Sequence, residues 1–383
     1  MFKIFRAVWR YIRQTDLVLM LTAILASVYG LLLVLSATNA THTSSRAFFM
    51  QIVGICLGIA GMVVISKIDY HDMGNLWKVG AAAGVIMLLL PYVHPYTVAG
   101  SADLSWINLG FTTVQPAEFV KLCFIITFAT HYNAVRERLT SPLNVILLVM
   151  HAMVPIGIIV VQKDMGMAFV YVGMFICMLF AAGVQLRYFA VGAVLLLAGI
   201  PVIWSKVFGD TQRHRILALF NPESSDLKDV SMQQLYGRSA IGSGQIWGYG
   251  LFHGPRTQSS ISGQLPERRN DMIFAVAGEE LGFIGCVLIL VLFLILTVRL
   301  LQYVRSAKDP LGSMICVGVF SAFTMQVFIN VGMVLMVLPV IGITLPFFSA
   351  GASSMVASYW LIGLALSVHM HRKNEIFAGQ DSL

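Results

Sequence analysis

Ten apolar runs, each about long enough to cross a bilayer, recur along this 383-residue chain, and that recurrence leaves few folds open. They lie near residues 17–36, 48–66, 78–93, 116–132, 143–162, 166–183, 188–205, 272–301, 312–337 and 350–370. In lipid each backbone N–H and C=O must find its partner inside the protein, so runs of this length predict α-helices. The composition agrees. Hydrophobic residues make up 58% and charged residues 11%, against about 45–50% and about 25% in soluble domains. Too few charges remain to cover water-facing domains, so the expected fold is an all-α polytopic membrane protein. It has ten transmembrane helices and one large extracytoplasmic loop, 206–271, between spans seven and eight.

Basic residues in short loops set the orientation. Lys3, Arg6, Arg10, Arg13, Lys67, Lys78, Arg136, Arg138, Arg187, Arg299, Arg305, Lys308, Arg372 and Lys373 fall on one side, and only Arg46 and Lys163 on the other. Both termini are therefore expected in the cytoplasm, and the net charge of +7 marks membrane topology, not nucleic-acid binding. Residues 1–16 read as a cytoplasmic segment, with Lys3, Arg6, Arg10 and Arg13 at helical spacing and Phe2, Phe5, Trp9 and Ile12 on another face. That pattern suits an amphipathic helix on the leaflet surface, or an ordinary positive flank. The first span exceeds a signal-peptide core in length and reads as a retained anchor. Residues 17–370 form the transmembrane domain and 371–383 a cytoplasmic tail. Cys56, Cys123, Cys177, Cys286 and Cys316 lie in apolar stretches without a CxxC pair and read as packing residues, with no disulfide or metal framework.

Ionisable side chains at membrane depth are costly, and each is a functional candidate. Glu118 and Lys121, three residues apart at the start of span four, share a helix face and read as a structural ion pair, with direct catalysis as the alternative. Asp164, in the tight turn before span six, caps that helix or lines a polar cavity. Asp271 stands where the long loop enters span eight; it is a candidate acid or base, or an N-cap. Glu279 and Glu280 follow about two turns deeper and are expected to bond neighbouring helices around a polar cavity. Between Gly342 and Ser354, small residues around Pro346 suggest a broken or re-entrant segment.

These segments, in order, resemble the SEDS family (shape, elongation, division and sporulation) over nearly the whole chain. The resemblance rests on Trp106-Ile107-Asn108-Leu109-Gly110, Gln115-Pro116-Ala117-Glu118, Gln162-Lys163-Asp164-Met165-Gly166 and Arg215-Ile216 through Pro222. Ala240–Gly244 and Leu265–Gly285 continue the series, the latter containing Asp271 and both glutamates. Departures are the missing arginine before Trp106, Ala117 for serine, Lys163 for proline, and Ala350 and Ala352 in the last motif. The short tails and intact Ala240–Gly244 lie nearest the RodA branch.

The resemblance implies a peptidoglycan glycosyltransferase that polymerises lipid II at the outer face of the bacterial cytoplasmic membrane, for cell shape, division or sporulation. Asp271 would be the catalytic base. Arg215, Glu267, Arg268, Arg269, Gln233, Trp106 and Ser349 would bind substrate, with Arg215 foremost at the diphosphate. A divalent cation (Mg or Mn) is a possible helper, no organic cofactor is implied, and the implied partner is a class B penicillin-binding protein. A lipid-linked precursor flippase and a non-catalytic scaffold for that partner are the competing functions.

Overall fold

The computed structural model describes residues 9, 11–39, 44–96, 103–110, 112–222, 224, 227–259 and 265–372. Each of the ten apolar runs coincides with a helix: α1 (Leu17–Asn39), α2 (Ser44–Lys67), α4 (Trp77–Val93), α5 (Pro116–Val135), α6 (Pro142–Val161), α7 (Met165–Ala181), α8 (Leu186–Val202), α11 (Ile273–Ser306), α12 (Pro310–Val334) and α13 (Ala352–His371). Between them lie short α3 (Tyr70–Asn75) and a two-stranded hairpin, β1 (Ile107–Asn108) with β2 (Thr113–Val114). Among the described residues seven helices are long and apolar enough to cross a membrane, and α4 and α7 are shorter apolar ones. Local signals set the starts. Pro142 and Pro310 occupy first turns, where a missing N–H costs nothing, and Asp164 and Asp309 cap α7 and α12.

Burial sorts the helices. α12 and α13 form the centre, with 67% and 83% of their most apolar stretches buried, whereas α8 buries no residue. α13 lies along α2 so closely that a Cβ on Gly61 would fall 1.9 Å from the Trp360 indole nitrogen. Small residues are what let helices approach without a hydrophobic drive between them.

The 206–271 segment is not an irregular loop. It folds into α9 (Asp210–Phe220) and α10 (Lys228–Gly244), and α10 runs beside the first third of α11, Gly237 facing Met272 and Gly244 facing Gly278. The chain reverses at Gln245 and returns as a strap, where Tyr249 and Gly250 donate backbone N–H bonds to the carbonyls of Glu279 and Glu280 at 3.1 and 2.8 Å.

α11 is interrupted at Gly282 (φ 66°, ψ −161°), where a Cβ would meet Gly248 N and Ile246 O at 2.4 Å. The two buried glutamates, Glu279 and Glu280, lie just before this break, within the first turns of α11. Most of residues 1–16 and of the tail 371–383 lie outside the described residues; Trp9 and 11–14 are helical.

Candidate active site

At the polar end of the bundle, 265–272 makes a succession of turns before α11. Glu267 takes a left-handed conformation (φ 51°), and its carbonyl accepts from Asn270 N and Met272 N at 2.9 and 3.2 Å. Its carboxylate accepts from the Asn270 amide at 2.6 Å. The segment between α12 and α13 clamps this turn. Ser349 Oγ donates to Asn270 O at 2.6 Å, Ala350 N donates to Arg269 O at 2.7 Å, and Asn330 Nδ2 donates to Asp271 O at 2.9 Å.

The backbone around Asp271 is thus held on both sides. Among the described residues no hydrogen bond reaches its carboxylate, and a Cβ on Gly342 would lie 3.5 Å from Oδ2. Met272, not Asp271, is the N-cap of α11, and no side chain caps it, so the capping reading of Asp271 does not hold. Burial pushes this carboxyl up to about 7, with Glu267 and Asp164 adding and Arg215 opposing. Arg215, half-buried on α9, is therefore within electrostatic reach.

Asp164 is buried and fits the capping reading. Its Oδ1 caps α7 by accepting from Met167 N at 3.0 Å, while Gln115 donates to Oδ2. Burial pushes it up to about 6, helped by Asp103. Further into the bundle Lys121 Nζ and Glu118 Oε2 are 2.7 Å apart, both buried. Gln326 closes the triad, accepting from Lys121 at 2.9 Å and donating to Glu118 at 3.3 Å. Gln326 and Asn330, one turn apart on α12, escaped a search restricted to ionisable groups; polar side chains at membrane depth are the signal that marks them.

Several residues expected at substrate or around a polar cavity make bonds that hold the strap or the clamp. Glu279 accepts from Arg256 N, Thr257 N and Thr257 Oγ1 at 2.9, 2.7 and 2.7 Å. Glu280 accepts from Ser36 Oγ and Gln258 Nε2 at 2.7 and 2.8 Å. Arg268 Nη1 donates to the carbonyls of Arg256, Thr257 and Ser259. A buried carboxylate needs donors: the strap's N–H groups supply Glu279, and Ser36 on α1 with the Gln258 side-chain amide supplies Glu280. The Ser349 hydroxyl is likewise spent, donating to Asn270 O and accepting from Leu345 N at 2.8 Å. The side chain of Arg269 is exposed. Gln233 is half-buried on α10, while its neighbour Gln234 is buried and donates to Met333 O and Leu338 O, both at 2.7 Å. Trp106 pairs with Tyr96 in an isolated bridge beside β1. Among the described residues no three of His, Cys, Asp and Glu converge as a ligand set.

The sequence profile of the Cell cycle protein family (FtsW, RodA and SpoVE) matches residues 16–374. This chain belongs to that family. It is 32% identical over 374 residues to a protein named probable peptidoglycan glycosyltransferase FtsW from Geobacter metallireducens, with 94% of this chain and 96% of that one covered. It is 31% identical to peptidoglycan glycosyltransferase MrdB of Escherichia coli over 83% and 84% of the two chains. It is 32% identical to stage V sporulation protein E of Bacillus subtilis over 94% and 98%. The branches match alike, so membership is of the family as a whole. Among solved structures, a chain from a peptidoglycan synthase complex that coordinates polymerization and crosslinking superposes with a TM-score of 0.79 at 24% identity, covering 94% of this chain and 99% of that one. RodA of Thermus thermophilus superposes with a TM-score of 0.69 at 22% identity, covering 94% and 98%. The fold is that of this polytopic membrane family.

Proposed function

We propose that this chain polymerises lipid II as a peptidoglycan glycosyltransferase, with Asp271 as the general base. The observation that carries the reading is the Asp271 carboxyl itself. It sits on a backbone held from both sides, is raised to about 7, and has Arg215 nearby. A base of that strength is half ionised near neutral pH, where proton abstraction from a sugar hydroxyl is most effective.

The acceptor hydroxyl passes its proton to Asp271 as its oxygen attacks the anomeric carbon of the donor. A new C–O glycosidic bond forms, the bond from that carbon to the diphosphate oxygen breaks, and configuration inverts. Undecaprenyl diphosphate leaves with its negative charge facing Arg215 and, from the exposed turn, Arg269. Glu118, Lys121 and Gln326 hold the bundle beneath the site, and the strap tied to Glu279 and Glu280 shapes its wall.

The family likeness and the basic loops support a multi-pass protein of the bacterial cytoplasmic membrane, with both termini cytoplasmic and Asp271 outside. A class B penicillin-binding protein would crosslink the product. The deciding experiment is a lipid II polymerisation assay with the purified full-length protein, with and without a class B penicillin-binding protein. Glycan strands formed by wild type and lost in Asp271→Asn support the base. A flippase leaves glycan unmade with either protein, and a scaffold tolerates the asparagine when its partner is present.

A further inference from the structure

At the end of the bundle opposite Asp271, the last turns of α11 and α13 meet the segment leading into α1. A cavity of about 530 Å³ lies there, lined by Trp9, Arg13, Asp16, Leu17, Arg299 and His369 among others. Its floor is electrically closed. Two guanidinium nitrogens of Arg299 and the Tyr303 hydroxyl donate to Asp16 Oδ2, the latter at 2.8 Å, and the third Arg299 nitrogen donates to Gln302 at 2.8 Å. Burial alone would lift the Asp16 carboxyl, but the bonds from Tyr303 and Arg299 hold it below its usual value, so it stays ionised and cancels Arg299.

Among the described lining residues the remaining full charge is Arg13. Its exposed guanidinium lies 5.4 Å from the centre of the Trp9 ring, and no ion pair among the described residues includes it. The other wall is apolar and open. Leu17, Val18, Leu21 and Leu25 are 44–57% exposed, and Leu17, Leu21 and Leu25 form one stripe along the lipid-facing side of α1. A cationic recess with a tryptophan at its mouth therefore runs directly into a surface that acyl chains cover.

We propose that this recess binds the phosphodiester head group of an anionic phospholipid, its phosphate beside Arg13 and Trp9 and one acyl chain along Leu17, Leu21 and Leu25. Basic pockets between membrane helices recognise such head groups, and an indole at the interface suits the boundary between head group and chain. One uncompensated positive charge matches one phosphodiester. The site lies at the other end of the bundle from Asp271 and does not depend on the glycosyltransferase reading.

The test uses full-length protein delipidated in detergent and offered equal phosphatidylglycerol and phosphatidylcholine, with bound lipid counted by native mass spectrometry. Wild type should retain phosphatidylglycerol preferentially. Arg13→Gln should weaken that retention about fivefold, the scale of one basic residue at an anionic surface, and Arg13→Lys should largely keep it. Brominated phosphatidylglycerol should quench a fluorescence component that is absent in Trp9→Phe. Equal retention of the two lipids, or Arg13→Gln behaving as wild type, would overturn the site. Displacement of the lipid by inorganic phosphate alone would show a free-anion site and overturn the lipid assignment.

Discussion

Asn330 holds Asp271 by its backbone, not its carboxylate: the Asn330 amide nitrogen donates to Asp271 O at 2.9 Å and to Ile343 O at 2.7 Å. One side chain on α12 thereby fixes the turn before α11 and the segment before α13 in one register. Reactions that depend on orientation lose about 10²-fold for misplacements near 1 Å. Asn330→Ala should lower the polymerisation rate by about 10- to 100-fold with lipid II binding little changed, read as kcat against KM. Asn330→Asp should also move the rising limb of the pH–rate profile upward, because a second buried carboxylate disfavours ionisation of Asp271. A purely structural role for Asn330 would lower folded yield and leave that limb in place.

The Glu118–Lys121–Gln326 triad is buried throughout, so removing one partner strands a charge. Breaking a buried pair typically costs about 3–5 kcal/mol, whereas replacing both members by apolar groups is often neutral. Glu118→Gln should lower the detergent unfolding temperature, and adding Lys121→Met should restore part of the loss. A double variant no more stable than the worse single one would show that the two side chains do not act as a pair.

Much of this fold is legible in the chain because membrane helices announce themselves: α1, α2, α6 and α11–α13 follow directly from uninterrupted apolar runs. The interleaved α10 and its strap do not. Their Ser, Gly and Gln residues carry little hydropathic contrast, and their partners on α11 are distant in sequence. For the same reason Arg268, Glu279 and Glu280 read as substrate or cavity groups when their partners are the strap and, for Glu280, also Ser36 on α1. Asp271 is legible as a candidate from its place at the start of a span, but only the structure separates it from the capping aspartates Asp164 and Asp309. Asn330 and Gln326 are hidden by being uncharged. What sequence spacing cannot supply is which buried polar groups find partners, since those partners come from other helices.

Gly282 offers a test of the strap that leaves every charged group in place. Alanine there would have to adopt φ near 66° and would collide with Gly248 N and Ile246 O at 2.4 Å. Strain of this kind costs about 1–3 kcal/mol before the collision is counted. Gly282→Ala should reduce folded yield and open the strap to proteolysis near 245–259. Gly192→Ala on α8, where nothing lies within 4 Å, should be neutral. If both variants behave alike in limited proteolysis, the close docking of the strap on α11 is wrong.

Arg215 lowers the Asp271 carboxyl's affinity for protons and, in the proposed reaction, faces the leaving diphosphate. Arg215→Ala should therefore do two separable things. It should depress polymerisation by about 10²-fold, as loss of one preorganised charge stabiliser does. It should also shift the rising limb of the pH–rate profile upward. Arg215→Lys should restore the limb more fully than the rate, since a lysine supplies charge without the bidentate fork. A rate loss with an unmoved limb would separate Arg215 from Asp271.

Asp271 makes opposite predictions for rate and for stability. As a base it must be ionised, so polymerisation should rise with pH through about 7 and then level. Asp271→Asn should remove about 10²–10⁴-fold of the rate at every pH on that plateau. For stability the sign reverses. Folding raises this carboxyl from its usual 3.8 to about 7, so the folded protein holds the proton more tightly than the unfolded chain. The stability that comes from keeping the proton is fully present below about 4 and is lost as pH climbs through about 7. Asparagine does not ionise, and it replaces no cap, because Met272 holds the cap position without a side-chain bond. Asp271→Asn should therefore unfold at the same temperature as wild type or higher at pH 8, while making almost no glycan. Thermal unfolding and lipid II polymerisation on the same preparations test both halves. A variant that is both active within about threefold and unshifted in stability would leave the carboxyl with neither its catalytic nor its electrostatic role.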